Sequence, residues 1–523
     1  MRITLFRALL FCLCLVSPAC WAAAPDGAQE RGLNQDLLPD PPDGTIRVNL
    51  KQIATGLFGQ VEGINQILPS DMAPFPDGSD RIAILTLGGV VRLLQPNNTL
   101  EPIPYLITTN EDTVIEPGNF GIISFVFHPD FADPKAPGYG KFYIIETEDV
   151  SAGTPDFDGS LQQSAFGGQH HDVLYEYTTT DPSSDTFVGT KREILRIEQP
   201  GWDHNVFDLT FGIGAERGIL YITSGDGGNA PAGDALIREN AQFMGNVFGK
   251  ILRIDPLGSN SANGNYGIPA DNPFLSDPNT LDEIYSYGHR APFRLNTDRN
   301  TGDLWLGEVG QNQIEEINKV LPGANYGWAL KEGSFLFDEL DLSNNQPDPD
   351  LDNNGTGDFA DSMGFTDPIF EVDHETAVSM TGGFVYRGSA IPNLQGRFIF
   401  GDGFGNGLFH ANPSDGPVSG ETGGVVRFTF GPAGVPMPFG VISIGEDLDG
   451  ELYLLTLDGR VLRLDPSPCN AADLYPDGSL DFFDVSTFLQ LLSNEEPRAD
   501  FNRDGFYDFF DISAYLTIFM NGC

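Results

Sequence analysis

Short apolar or alternating runs, separated by Gly, Pro, Asn and Asp, fill residues 45–465, and no long amphipathic helix interrupts them. Runs of this length between turn residues are typical of strands, so the region predicts a many-stranded antiparallel protein of the all-β class. A related run, opening on Gly and closing on Pro, recurs at 89–96, 249–256 and 459–466. Similar strands recurring across an all-β region favour radial repetition, as in a β-propeller, over a single sandwich.

Length and charge set the outer limits. The chain has 523 residues, and 74 acidic against 28 basic side chains give it a formal net charge of −46. This length exceeds that of a usual single domain, so one large β architecture with an appendage, or several domains, is expected. So negative a chain repels phosphate backbones and anionic lipid surfaces, which argues against nucleic acid as a partner.

Residues 1–24 have the pattern of an export signal. Arg2 and Arg7 flank the start, an apolar run covers 8–16, and small residues follow at 22–24. The apolar run is shorter than a membrane span, and no other segment approaches that length. We therefore expect an exported protein without a transmembrane segment, located in the periplasm, at the cell surface or outside the cell.

Cysteine usage agrees with export. Loss of residues 1–24 removes three of the five cysteines and leaves Cys469 and Cys523. In an oxidising compartment these two are expected to form a disulfide that brackets the C-terminal region.

An acidic pattern occurs twice between these cysteines, beginning at Asp473 and at Asp500. Each copy places oxygen-bearing side chains at loop positions 1, 5, 9 and 12 and glycine at position 6, which is the spacing of a calcium-binding loop. Position 3 is Tyr475 in the first copy and Asn502 in the second, so the first loop should bind Ca²⁺ more weakly. Two acidic turns without metal are the alternative. The predicted ligands are Asp473, Asp477, Asp481, Asp484, Asp500, Asn502, Asp504, Asp508 and Asp511.

A hydrophobic helix is predicted after each loop, at 485–492 and 512–520. Apolar residues at helical spacing should pack the two helices on one another. Those residues are Phe488, Leu489, Leu492, Tyr515, Leu516 and Phe519. The pair of loops and helices over 469–523 resembles a dockerin-type module, which implies a protein partner for this part of the chain.

Seven short motifs follow one another in a fixed order within the β-rich region. They are Asp203-His204, Ser224-Gly225-Asp226-Gly227-Gly228, the run 249–255, Tyr287-Gly288-His289-Arg290, the run 308–312, Glu315-Glu316-Ile317-Asn318 and Asn325-Tyr326-Gly327-Trp328. Their order resembles the soluble glucose/sorbosone dehydrogenase family, quinoprotein sugar dehydrogenases that use pyrroloquinoline quinone (PQQ). The resemblance covers residues 45–465. It implies a six-bladed β-propeller that oxidises an aldose sugar or a related hydroxy compound.

The resemblance also assigns catalytic positions. His204 matches the histidine that removes the proton from the sugar C1 hydroxyl while hydride passes to the quinone. An imidazole suits this task, and a neighbouring carboxylate can orient it. Asp203 matches the helper carboxylate, and Arg290 matches the arginine that lies over the quinone and stabilises developing negative charge.

Further matches concern the cofactor and calcium. Arg387 matches a basic position that would pair with a cofactor carboxylate. The resemblance places the backbone carbonyls of Gly310 and Gln311 on the Ca²⁺ that activates the quinone. It places Glu316 and the Tyr326 carbonyl region near a second ion, and such hard oxygen ligands suit calcium.

Three positions depart from the family pattern. Ala291 replaces an Asn, Gly407 stands where relatives often carry Arg, and Glu116 stands where glucose-oxidising members present Gln to the cofactor. Because PQQ is a tricarboxylate, lost donors and an added carboxylate weaken its binding.

These departures favour an alternative hypothesis, a non-catalytic propeller that binds carbohydrate or protein and is similar to Hedgehog-interacting-protein-like domains. A third hypothesis is a calcium-dependent hydrolase acting on lactones, with His204 as base. His374, in Val-Asp-His-Glu, either lines the central pocket or is a structural histidine.

Overall fold

The computed structural model describes residues 38–61, 63–108, 113, 121–159, 170–201, 203–228, 239–311, 313–336, 364–405, 407–416, 422–431, 434–438, 440–476, 478 and 480–522. The predicted export signal at 1–24, Glu116, Asp477 and Cys523 lie outside the described residues. Predictions that depend on them stay predictions.

Strand β1 (Asp43–Ala54) is followed by a short hairpin of β2 (Gln60–Val61) and β3 (Ile64–Asn65). The first four-stranded antiparallel sheet then runs in chain order through β4 (Pro69–Pro74), β5 (Ile82–Thr86), β6 (Val90–Leu94) and β7 (Leu106–Ile107). A second sheet repeats this plan with β8 (Ile122–Phe127), β9 (Lys141–Glu148), β10 (His171–Thr179) and β11 (Gly189–Glu198).

Two further four-stranded sheets follow. The third contains β12 (Val206–Phe211), β13 (Leu220–Ser224), β14 (Lys250–Ile254) and β15 (Ile284–Tyr287). The fourth contains β16 (Pro292–Thr297), β17 (Leu304–Glu308), β18 (Ile314–Val320) and, after a hairpin of β19 (Lys331–Glu332) and β20 (Phe335–Leu336), the strand β21 (Phe370–Asp373).

The last sheet has eight strands. They are β22 (Met380–Val385), β23 (Phe398–Asp402), β24 (Leu408–Ala411), β25 (Val426–Phe430), β26 (Val441–Glu446), β27 (Leu452–Thr456), β28 (Val461–Pro466) and β1. Strand β1 pairs antiparallel with β28 and parallel with β25. The N-terminal strand therefore completes a group of four with β26, β27 and β28, and this group adjoins the group β22–β25.

The first strand of each group contacts the first strand of the next, and these first strands are the innermost strands of the ring. Contacts join β4 to β8, β8 to β12, β12 to β16, β16 to β22, β22 to β26 and β26 back to β4. The contacts therefore close into a ring. The fold is a propeller-like arrangement of four four-stranded blades and the eight-stranded sheet, so the predicted radial repetition is confirmed.

The recurring runs of the sequence occupy equivalent places in this ring, since each supplies the third strand of its group: β6, β14 and β28. Gly89, Gly249 and Gly459 precede these strands with φ of +81°, +69° and +78°. Glycine adopts this left-handed conformation without steric cost, which suits the turn that leads directly into each of these strands.

The apolar core lies between neighbouring sheets. In one cluster, Ile145 and Leu174 of the second sheet pack with Leu209, Ile222 and Leu252 of the third. Burial of such side chains against the next sheet stabilises the ring, because a sheet with two apolar faces must be covered on both sides.

The middle of the ring contains a buried polar cluster instead. The Oγ atom of Ser124 on β8 lies within hydrogen-bond distance of two carboxylates, 2.7 Å from Asp208 on β12 and 3.0 Å from Asp71 on β4. Arg294 on β16 lies 3.3 Å from the Asp208 carboxylate. Burial raises the pKa of Asp208 to about 7, because the charge of Arg294 offsets only part of the desolvation and Asp71 adds to it. Four innermost strands are thereby joined by hydrogen bonds and charge.

Two helices lie near the C-terminus, α1 (Phe482–Ser493) and α2 (Phe509–Met520). Each begins three residues before the predicted start, because Asp481 and Asp508 cap the first turn and form capping boxes with Asp484 and Asp511. None of the helices in the described residues is long and apolar enough to cross a membrane.

The predicted packing of these helices is confirmed for the centre of the interface. The rings of Phe488 and Tyr515 stack 4.0 Å apart, and both side chains are buried. Leu492 and Phe519 pack against them in part. The prediction is wrong for Leu489 and Leu516, which are 52% and 42% exposed, because the helices cross over the aromatic pair and leave these side chains on the outside.

Candidate active site at one end of the ring

At one end of the ring, the innermost (first) strand of each group begins and the second strand of the group ends. Antiparallel pairing joins Val206 at the start of β12 to Ser224 at the end of β13. It likewise joins Pro292 at the start of β16 to Glu308 at the end of β17. Motif residues that immediately precede or follow these strands therefore meet at this end.

His204 lies here with a carboxylate on its ring. Its Nδ1 is 2.7 Å from Oδ1 of Asp226, and both side chains are buried. A carboxylate accepts hydrogen bonds, so the proton of the neutral imidazole is on Nδ1 and the lone pair is on Nε2. His204 is thus oriented to act as a base through Nε2.

Asp203 occupies a different place from the one predicted. Its Oδ1 accepts the backbone N–H of His204 over 2.9 Å, while Oδ2 lies 3.9 Å from Nε2, which is too long for a hydrogen bond. The carboxylate that orients the imidazole is Asp226, and Asp203 instead supports the backbone of His204. That backbone is held at φ +51°, an uncommon conformation for a residue other than glycine.

Glycine at 225 permits the close approach of the two motifs. A Cβ atom there would lie 2.3 Å from the carbonyl oxygen of His204. The N–H of Gly227 donates to that same carbonyl over 3.1 Å. The Ser-Gly-Asp-Gly-Gly motif thereby packs directly against the His204 turn and presents Asp226 to the imidazole.

Trp328 connects this pair to Arg290. Its indole Nε1 donates to Oδ2 of Asp226 over 2.8 Å, and the Arg290 guanidinium lies 5.6 Å from the centre of the Trp328 ring. The backbone N–H of Asp226 also donates to the carbonyl of Arg290 over 2.8 Å. The structure therefore brings His204 and Arg290 into one cluster, as the sequence predicts.

The guanidinium of Arg290 is held by the loop between β17 and β18. Its Nε donates to Oε1 of Gln311 over 2.8 Å, and Nη1 donates to the carbonyl of Val309 over 2.9 Å. These contacts fix the orientation of the positive charge over the Trp328 ring.

The same loop contains the predicted calcium carbonyls. The N–H of Gln311 donates to Oε1 of Glu332 over 2.7 Å. Because a peptide unit holds its N–H and C=O on opposite sides, the carbonyl of Gly310 is turned away from Glu332. Gly310 and Gln311 thus lie beside Arg290, and the Gly310 carbonyl does not point at the neighbouring carboxylate.

The oxygen atoms around Glu316 are suitable ligands for a hard cation. Glu316 and Glu308 are directly opposite one another on β18 and β17, and both are buried. Burial and the charge of Glu308 raise the pKa of Glu316 to about 8. Between them, Asn318 donates to both carboxylates, and its buried Oδ1 has no hydrogen-bond partner among the described residues. Two carboxylates and an unpaired amide oxygen fit Ca²⁺.

Tyr326 lies next to this group. Its ring stacks on His289 at 4.6 Å, and Nδ1 of His289 is 2.8 Å from Oε2 of Glu308. Within the described residues, no group of three or more His, Cys, Asp and Glu side chains is arranged to hold a metal ion. An ion here would therefore depend on amide and backbone oxygens as well as the two carboxylates.

His374 lies at the same end of the ring and contacts a buried carboxylate. Its Nε2 is 2.8 Å from Oε1 of the buried Glu315. Burial lowers the pKa of His374, but the hydrogen bond and the charge of Glu315 outweigh it, so the pKa is raised overall. Arg290 supplies the kind of charge that an anionic cofactor such as PQQ requires, and the raised pKa of His374 favours the charged form of its ring.

Arg387 is not part of this cluster. Its guanidinium forms a bidentate ion pair with Asp298 over 2.9 and 2.6 Å. Asp298 follows the end of β16, whereas Arg290 precedes its start, so the two arginines lie at opposite ends of a strand about 20 Å long. Pairing of Arg387 with a cofactor carboxylate has no support in this geometry.

The two acidic loops fold alike. The carboxylates of Asp473 and Asp500 accept the N–H groups of Gly478 and Gly505, over 3.0 Å in each case. Both glycines have left-handed φ, as position 6 of such a loop requires. Their last residues, Asp484 and Asp511, are buried and accept N–H groups at loop positions 3 and 9.

Cys469 is disulfide-bonded. The side chain of Asn470 donates to the carbonyl of Gly522 over 2.9 Å, which brings the last described residue beside Cys469. Cys523 remains the predicted partner.

Asp226 and Trp328 both lie within the sequence motifs, but the sequence alone assigns neither of them a function. A buried aspartate between glycines, directly after an apolar strand, is the signal that could have identified Asp226. No local signal indicates that the indole of Trp328 donates to it, since this contact depends on how two sheets pack.

Comparison with known proteins identifies the family of the chain. The sequence profile of the Glucose / Sorbosone dehydrogenase family matches residues 67–422. The chain is similar to the HIPL1 protein of Arabidopsis thaliana, with 30% identity over 495 residues that cover 84% of this chain and 65% of that protein. It is similar to the Hedgehog-interacting protein of Homo sapiens, with 25% identity over 390 residues that cover 73% and 47%. The chain thus spans less than two thirds of the length of these relatives.

Among solved structures, the chain is similar to the PQQ-bound form of aldose sugar dehydrogenase (Adh) from Streptomyces coelicolor. The TM-score is 0.52 at 20% identity, and the alignment covers 81% of this chain and 99% of that one. At this identity the likeness concerns the fold. The family match, in contrast, extends over more than half of the sequence and includes His204, Asp226, Arg290 and Trp328. The chain therefore belongs to the glucose/sorbosone dehydrogenase family.

Proposed function

We propose that this chain is an exported quinoprotein-type dehydrogenase that oxidises an aldose sugar or a related hydroxy compound with PQQ and Ca²⁺. The observation that carries the proposal is the contact of His204 Nδ1 with Asp226, which leaves Nε2 as the basic atom of a cluster that Trp328 joins to the Arg290 guanidinium. A base and a fixed positive charge held in one cluster suit the removal of a hydroxyl proton.

In this proposal, Nε2 of His204 takes the proton of the substrate hydroxyl. Asp226 stabilises the imidazolium that results, because its carboxylate already accepts the Nδ1 proton. When bound, the quinone accepts the hydride from the carbon atom that carries this hydroxyl group. Arg290 would pair with negative charge on the cofactor, and the carbonyls of Gly310 and Gln311 would hold the Ca²⁺ beside it.

The architecture that we propose for residues 45–465 is a six-bladed propeller. Support comes from the ring of six innermost strands and from the completion of the last group by β1. Closure by pairing the N-terminal strand with C-terminal strands joins the two ends of the domain, which stabilises a ring against opening.

For residues 469–523 we propose a dockerin-like module that binds Ca²⁺ and docks to a protein partner. The two loops support this proposal through their equivalent hydrogen bonds. Apolar side chains at equivalent positions of the two helices are also exposed, at 75%, 57%, 72% and 65% for Phe482, Phe483, Phe509 and Phe510. Exposed aromatic side chains of this kind are typical of interaction surfaces.

Reconstitution tests the enzymatic proposal. Purified protein is mixed with PQQ and Ca²⁺, the absorbance of the quinone is recorded, and oxidation of aldoses is followed with an artificial electron-accepting dye. His204→Ala should lower the rate by about 10²-fold or more while quinone binding and the thermal unfolding midpoint stay near those of the wild type. Turnover equal to that of the wild type would remove His204 from the mechanism.

A non-catalytic propeller that binds carbohydrate or protein is the second candidate. Ala291 lacks the amide of the family Asn, and an added Cβ at Gly407 would lie 2.3 Å from the Phe409 ring, so an arginine there does not fit without rearrangement. The similarity to proteins named HIPL1 and Hedgehog-interacting protein favours the same candidate. Absence of quinone binding at millimolar Ca²⁺ would support it over the dehydrogenase.

A further inference from the structure

Two carboxylates hold the loop between β17 and β18: Glu315 accepts the N–H of Gly310 over 3.2 Å, and Glu332 holds the residues that follow. Oε1 of Glu332 accepts the N–H groups of Gln311, Gln313 and Ile314, over 2.7, 3.0 and 3.1 Å. Gly310 closes tightly in the same loop, since a Cβ there would lie 1.7 Å from the Ile314 carbonyl oxygen. A carboxylate that accepts several N–H groups fixes the direction of the peptide units that donate to it.

Glu332 is itself firmly placed. It lies in β19 and is 1% exposed. The hairpin β19–β20 is anchored to the fourth sheet, because the N–H of Gly333 donates to Glu316 over 2.6 Å and the N–H of Ser334 donates to Glu371 over 2.8 Å. Contacts therefore run from the sheet through the hairpin to Glu332 and from there into the loop.

We propose that Glu332 is a positioning residue that fixes the 310–314 loop and, through Gln311, the guanidinium of Arg290. In this way it sets both the direction of the Gly310 carbonyl and the place of the positive charge over the Trp328 ring. The inference rests on the proposed function for its ligands, PQQ and Ca²⁺. Nothing in the motif order indicates it, because Glu332 lies beyond the last motif of the series.

Glu332→Gln tests the inference, since it keeps the shape of the side chain and removes its charge. Glu451→Gln is the matched control. Glu451 also accepts two loop N–H groups, from Ser389 and Ala390 over 2.8 and 2.9 Å, but it precedes β27 and so lies at the opposite end of the ring. Both variants are made in the full chain and compared by hydrogen–deuterium exchange, thermal unfolding and absorbance titration with PQQ at fixed Ca²⁺.

We expect Glu332→Gln to speed exchange in peptides covering 310–314 and to weaken PQQ binding by about 10- to 100-fold, as loss of supporting contacts does at metal sites. Glu451→Gln should leave both unchanged. Exchange and PQQ affinity equal to those of the control would overturn the inference. If the wild type binds no PQQ, the proposed function fails instead, and unchanged exchange at 310–314 would then reject the positioning by Glu332 independently.

Discussion

Asp226 accepts a hydrogen bond from Nδ1 of His204 over 2.7 Å, although 22 positions separate the two residues in the chain. Pairing of β12 with β13 brings them together, because His204 precedes the first strand and Asp226 follows the second. The neighbouring Asp203 does not contact the ring within hydrogen-bond distance. The His204–Asp226 pair is therefore a product of sheet pairing, and the different contacts of Asp203 and Asp226 make the two residues distinguishable by experiment.

Asp226→Asn should lower dye-coupled sugar oxidation by about 10²-fold, because a neutral amide neither stabilises the imidazolium nor secures the Nδ1 proton. Asp203→Asn keeps an oxygen for the His204 N–H and should lower the rate by less than about tenfold. Steady-state rates of both variants, with the thermal unfolding midpoint as a control for folding, decide between them. A larger loss in Asp203→Asn would reverse the assignment.

Arg387→Gln should reduce stability without changing PQQ affinity. The substitution breaks a bidentate ion pair with Asp298, which is 3% exposed at its side chain, and leaves that carboxylate buried. Loss of charge-assisted hydrogen bonds of this type costs about 1.5–3 kcal/mol. Guanidinium unfolding measures the change in the free energy of unfolding, and absorbance titration measures PQQ binding. Weakened quinone binding at unchanged stability would place Arg387 in the cofactor site after all.

Asp208 predicts a pH dependence of stability. Its pKa is raised from 3.8 to about 7 in the folded protein. Between these values the folded state retains a proton that the unfolded chain has lost, so this contribution to stability, fully present below pH 3.8, declines as the pH rises to about 7. Asp208→Asn should therefore flatten the dependence of the unfolding free energy between pH 4 and pH 8. Asp282→Asn, at an exposed position, is the control. Equal slopes of the unfolding free energy against pH in the two variants would contradict the prediction.

Phe488→Ala should destabilise the C-terminal helices by about 3–5 kcal/mol, because the ring is buried against Tyr515 and its loss leaves a cavity. Phe482→Ala, which removes a ring that is 75% exposed, should change stability by less than about 0.5 kcal/mol. Native-state proteolysis followed by mass spectrometry locates cleavage within 480–522. Equal protection of the two variants would show that the aromatic stack does not hold this region together.

Calcium binding should differ between the two acidic loops. Calorimetric titration of the full chain with Ca²⁺ should lose a tighter site in Asp500→Ala and a weaker one in Asp473→Ala, because Asn502 offers an oxygen at loop position 3 where Tyr475 stands in the first loop. A wild-type chain with no calcium binding attributable to either substitution would refute the dockerin-like assignment.

Much of the fold follows from local pattern. Apolar runs between turn residues correspond to strands, and the repeated Gly-initiated runs fall on the third strand of their groups because a left-handed turn at Gly89, Gly249 and Gly459 recurs with them. The helix starts were misplaced by one turn since side-chain capping by Asp481 and Asp508 extends each helix backwards. Hydrophobic spacing alone does not report a cap of this kind.

By itself, the sequence determined the β class, the radial repeat and the paired acidic loops. It also identified His204 and Arg290 as members of one series of family motifs. Each of these features depends on residue type and local spacing. Only the tertiary structure decided that Asp226 rather than Asp203 orients the imidazole, that Trp328 joins Asp226 to Arg290, and that Arg387 lies at the far end of β16. These relationships depend on strand pairing, strand length and the packing of one sheet on the next. Distances of that kind are set by the closed ring, and no short stretch of the chain encodes them.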